Sequence, residues 1–68
     1  MPRKIRQLIT ELQRAEFHFV PGRGSHRKYL HSSGLLVVLS GHSGDDAKPY
    51  QEKEVRLKIA EASRHHEN

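Results

Sequence analysis

The sequence predicts a single α+β domain of order α-β-β-β-α, a three-stranded antiparallel sheet with two helices on one face. Three observations carry that expectation. An apolar stripe of helical period opens the chain, short β-prone runs broken by glycine turns fill its middle, and a second helix-prone stretch closes it. A meander of three strands with both helices stacked on one side buries all three kinds of apolar surface at once. The 68 residues hold no repeat and no linker, so residues 1–68 are read as one domain.

Each element has its own local reason. Ile5, Leu8, Ile9 and Leu12 recur at i, i+3, i+4 and i+7, with Pro2 suited to a first turn, so residues 2–16 read as a helix. Phe17-His18-Phe19-Val20 is aromatic and β-prone, and Pro21-Gly22-Arg23-Gly24 breaks it. Ser25 to His31 is expected to be extended, up to the turn signal Ser32-Ser33-Gly34. Leu35-Leu36-Val37-Val38-Leu39 is the clearest strand, and its unbroken apolar run predicts cover on both faces. The polar stretch Ser40 to Pro49 leads to a helix from Tyr50 to about Arg64, with Val55, Ile59 and Ala62 on one side. Residues 65–68 are expected to fray.

Composition narrows the function. There is no cysteine, which excludes disulfides, thiolate metal sites and thiol catalysis and suits a reducing compartment. No apolar run approaches the ~20 residues of a membrane span, and Met1 leads into a basic segment, so a soluble, unprocessed, cytoplasmic chain is expected. Charge is uneven. Residues 1–31 hold seven Lys/Arg against two Glu (+5), and residues 32–68 hold five against six acidic residues (−1). A basic half in so small a protein suggests a polyanion partner such as nucleic acid, although a merely soluble surface has the same look.

The turn fixes an expected register. With Ser32-Ser33-Gly34 as the loop, Leu30 faces Leu36, Lys28 faces Val38 and His26 faces Ser40. One face then carries His26, Lys28, Leu30, Leu36, Val38, Ser40 and His42; the other carries Arg27, Tyr29, His31, Leu35, Val37 and Leu39. The second set is the more apolar and is assigned to the helices. His26 and His42 would share the open face, about 7–8 Å apart if both strands run straight.

Two imidazoles beside Lys28 and Arg23 are the parts of a metal-free ribonuclease. Neutral imidazole can take the proton from an RNA 2′-OH, which attacks the adjacent phosphate, while imidazolium protonates the leaving 5′-oxygen. Nearby cations stabilise the charge that builds on phosphorus. The 2′-OH requirement restricts the reaction to RNA, so no direct DNA binding is expected. A strand histidine on a solvated surface is the plain alternative. His18 and His31 are read as structural or surface groups. No His, Asp or Glu set has zinc spacing, so neither metal nor other cofactor is expected. Gly22-Arg23-Gly24 could form a backbone nest for phosphate, or only a hairpin that needs positive φ. Arg27, Lys28 and the basic first helix are candidate phosphate contacts. Asp45-Asp46 reads as a loop or as first-turn charge of the second helix.

Gly24-Ser25-His26-Arg27-Lys28-Tyr29, preceded by Arg23, resembles the Gly-Ser-His-x-x-aromatic signature of the HicA-family (YcfA-like) toxins. The basic first helix, the aromatic pair at Phe17, the valine-rich strand ending in Gly41-His42, and Asp46-Ala47-Lys48-Pro49-Tyr50-Gln51-Glu52-Lys53 extend the resemblance over nearly the whole chain. It implies a double-stranded-RNA-binding-domain-like α-β-β-β-α fold and the toxin role in a type II toxin–antitoxin system. It also implies cleavage of mRNA without ribosomes or metal, and a HicB-type antitoxin that covers the active face. The family's catalytic histidine falls on His26, with His42 as a second candidate and Arg23, Gly24, Ser25, Arg27 and Lys28 as RNA-binding candidates. Ser40-Gly41 and Tyr50-Gln51 depart from the proline and Thr-Leu that many members carry there, so the role transfers more directly to His26 than to His42. A non-catalytic RNA-binding module of the same fold and a small interaction protein are the alternatives.

Overall fold

A computed structural model describes residues 3–21 and 26–65, with elements in the order α1 (Ile5–Arg14), β1 (His18–Val20), β2 (Arg27–Leu30), β3 (Leu36–Leu39) and α2 (Pro49–His65). Residues 22–25, and with them the expected phosphate nest, lie outside the described residues, as does the tail 66–68. The α-β-β-β-α order and the three-stranded antiparallel sheet are as the sequence predicts.

Helix α1 starts at Ile5, three residues later than the periodicity suggests. Lys4 is extended and bridges Asp46, so the chain enters the helix from a strand-like approach. The first amides, which have no partner inside a helix, are satisfied by the 43–46 loop. Ile5 N–H donates to the Asp45 carbonyl at 2.9 Å and Arg6 N–H to that of Ser43 at 3.0 Å. Asp45-Asp46 therefore belongs at the N-terminus of α1, where negative charge is favourable, and is loop with respect to α2. At the other end Glu16 has φ 70°, a left-handed conformation usually given to glycine. Glu16 N–H reaches the Gln13 carbonyl and Phe17 N–H the Leu12 carbonyl, the double bond pattern of a Schellman cap. Phe17 and Leu12 are both buried, which supplies the apolar contact of that cap.

The sheet order is β1-β2-β3, all antiparallel. Leu30 pairs Leu36 and Lys28 pairs Val38, the register the turn predicts. Gly34 closes the hairpin with φ 99°, its N–H donating to the His31 carbonyl. Tyr29, Val37 and Leu39 point at the helices and are buried with Ile5, Leu8 and Leu12 of α1 and Val55 and Ala62 of α2. Ile59 is only half-buried against that core, so Val55 is the deeper anchor of α2.

The expected cover of β3 fails. The apolar run of β3 is covered on one face only, because Leu36 and Val38 stay 41% and 42% exposed. Both helices went to the side of Val37 and Leu39, and among the described residues no third layer covers the other. An unbroken apolar strand here marks a surface without cover.

Candidate functional site

Strand pairing assigns the open face. Paired residues share a side, so His18, Leu30 and Leu36 form one cross-strand row and Val20, Lys28 and Val38 the next. Leu30, Leu36 and Val38 are all exposed, as are His18 and Lys28. The result is a small apolar patch with a cation in it. His26, also exposed, precedes the first residue of β2. The ladder stops at the Arg27–Leu39 pair, one residue short of the expected His26–Ser40 facing.

His42 is not an extension of β3. Gly41 adopts φ 97° and bends the chain, and His42 sits exposed in a tight turn. Its N–H donates to Asp45 Oδ2 at 3.0 Å, and Asp45 N–H returns to the His42 carbonyl at 2.9 Å. The straight-strand condition for pairing His42 with His26 is therefore not met. The sequence signal was Gly41 itself, a residue suited to the left-handed turn.

The other candidates divide between the two sides. Lys28 is on the open face, whereas Arg27 is half-buried on the helix side, opposite Leu39. Arg23, Gly24 and Ser25 lie outside the described residues. In α1, Arg6 and Arg14 are exposed, but the helix packs beneath the sheet, away from Lys28. Two cations flanking its first turn are already engaged: Arg3 with Glu11, and Lys4 Nζ with Asp46 Oδ1 at 2.6 Å. The hydrogen bond to Glu11 holds the Arg3 guanidinium above its usual pKa.

His18 is the open-face residue that the sequence pattern does not single out. Its place comes only from the β1–β2 register, which the intervening glycine loop hides. Of the two readings open for His31, structural or surface, its burial selects the first. It is 6% exposed, lies against the Phe17 ring at 5.1 Å, and its Nδ1 accepts the Ser33 N–H at 3.1 Å. A groove of about 740 Å³ opens between the helices near Arg14, His31, Arg56 and Ile59 and includes none of the candidate site residues. Among the described residues no three His, Asp or Glu side chains gather as a metal site, and no helix is long and apolar enough to cross a membrane.

The parts of the face set its chemistry. An exposed imidazole and an ammonium beside apolar side chains can hold a phosphate and move a proton, and the apolar patch can be covered by another protein. A family model described as HicA toxin of bacterial toxin–antitoxin matches residues 5–62, which span both helices and all three strands. Comparison with curated proteins finds no match.

Proposed function

Since this chain belongs to the HicA toxin family of bacterial toxin–antitoxin systems, we propose that it is a metal-independent endoribonuclease that cleaves mRNA from its open sheet face. The observation that supports this best is the placement of exposed His26 at the entry to β2, directly before the strand that presents Lys28. His26 moves one proton, either from the attacking 2′-OH or to the departing 5′-oxygen, and solvent water takes or supplies the other. The 2′-oxygen bonds to phosphorus as the 5′-oxygen leaves, and Lys28 with Arg23 neutralises the added charge. Gly24 and Ser25, which precede His26 in the chain, are further candidates for RNA contact. The turn at Gly41, which takes His42 off the line of β3, favours His26 as the principal group.

A HicB-type antitoxin covers Leu30, Leu36 and Val38 and so blocks RNA from His26. Exposed apolar side chains clustered on one face suit that role, because they gain from burial by a partner. The deciding experiment is RNA breakdown by the purified chain in EDTA. Cleavage supports the enzyme, a mobility shift without cleavage leaves only an RNA-binding module, and neither leaves an interaction protein. An antitoxin that bound only the helices, with His26 open, would contradict inhibition by cover.

A further inference from the structure

The outer edge of β3 is an unpaired sheet edge among the described residues. In the β2–β3 hairpin His31 N–H donates to the Leu35 carbonyl at 2.9 Å, which makes that pair a hydrogen-bonded one. Antiparallel pairs alternate, so Tyr29–Val37 and Arg27–Leu39 also exchange bonds, and Leu36 and Val38 turn their N–H and C=O away from β2. β3 is an edge strand, and among the described residues no backbone group bonds those two residues from outside. Natural sheets guard such edges with charge, proline or a bulge. Here the stretch Ser32 to Gly41 has no charged residue and no proline. The opposite edge, β1, is only three residues long and runs into Pro21.

The geometry points to antiparallel pairing of β3 with β3 of a second copy, centred on Val37, with Leu36 opposite Val38 of the other chain. Neighbouring backbone groups select this register. A shift one way would need Gly34 N–H, which is given to His31, and a shift the other way would need the Ser40 carbonyl, which takes Gln51 Nε2 at 3.3 Å. Side-chain parity agrees. The residues with outward backbone are the ones whose side chains lie on the open face, so both open faces fall on one side of a six-stranded sheet. Both sets of helices fall on the other. Leu36 and Val38, 41% and 42% exposed in one chain, then meet Val38 and Leu36 of the other and form a continuous apolar strip. Each chain carries net charge +4, but the edges that meet are uncharged, so like-charge repulsion at the contact is small.

Sedimentation equilibrium of the isolated chain from micromolar to millimolar concentration tests this, with amide exchange at both limits. The expected result is a mass rising from 7.8 kDa to twice that value, with Leu36 and Val38 amides becoming protected in parallel. Val38→Pro removes an outward N–H without breaking the β2 ladder, so it should stay monomeric with its helices intact. Should that variant misfold, Leu36→Lys with Val38→Glu replaces it. Either substitution alone should weaken the dimer, and together they should restore it through two cross-strand ion pairs. A chain that stays monomeric at millimolar concentration overturns the proposal. So does a dimer that leaves the Leu36 and Val38 amides unprotected, or protection that arises only on adding an antitoxin. No RNA enters these measurements, so failure here leaves the nuclease reading untouched.

Discussion

The two faces of the sheet are built from the same three strands and differ in what packs against them. On the helix side, Tyr29, Val37 and Leu39 meet Leu8, Leu12 and Val55 in a closed core. On the open side, Leu30, Leu36 and Val38 are as apolar but meet solvent. The difference separates stability from function. A side chain that touches the helices holds the fold, while an equally apolar one across the sheet is free to meet a partner. Substitutions should therefore divide by face rather than by residue type.

Leu12→Ala should break the fold. Truncating a fully buried leucine costs about 2–5 kcal/mol, which is comparable to the whole stability of a domain this small. Leu36→Ala removes the same atoms from the open face and should stay within about 0.5 kcal/mol of the parent at low concentration. Thermal unfolding of the pair measures the contrast directly, and equal losses would erase the distinction between the faces.

Lys28→Glu should weaken RNA binding without moving the melting temperature. Its effect should shrink as salt rises, because the lost contact is electrostatic. Arg27→Glu, on the helix side, should do less to binding and more to stability, since Arg27 is half-buried beside Leu39. Binding titrations at several salt concentrations separate the two.

Tyr29 gives a pH signature of the buried face. Burial raises its phenol pKa above the ordinary 10.0, with Arg27 pulling weakly the other way. The folded state thus prefers the protonated phenol. The associated stability is complete below about pH 10 and is lost as pH rises through the higher folded value. Tyr29→Phe should flatten that alkaline loss in a melting-temperature profile. The smallest effect is expected at the α1 cap, where Glu16→Gly relieves a left-handed φ of 70° and should stabilise by up to about 1 kcal/mol. A destabilised glycine variant would show that Glu16 holds the turn by its side chain.

Much of the fold is legible in the sequence because period and turn chemistry are local. The 3.6-residue stripe from Ile5 to Leu12 and the Ser32-Ser33-Gly34 turn specify α1 and the Leu30–Leu36 register without tertiary knowledge. The hidden features are set at a distance. Nothing near Ser43 or Asp45 in the chain announces that their carbonyls cap α1, some forty residues away. His42 reads as part of a straight strand because the apolar run before it outweighs the turn signal of Gly41, and His18 escapes notice because its partner Leu30 lies beyond the glycine loop. The run Leu35 to Leu39 misleads for a different reason. Apolar character on both faces tells that cover is wanted, and only the structure tells that the described residues supply it on one face.

RNA chemistry at His26 on the open face is the central proposal, and one measurement tests it most directly. This is the rate of RNA cleavage in EDTA by His26→Ala beside the parent, with circular dichroism on both. The expected result is a folded variant slowed about 10²–10⁴-fold, the usual share of a general acid or base, that still binds RNA and antitoxin. A folded His26→Ala chain that cleaves RNA at the parent rate would contradict it.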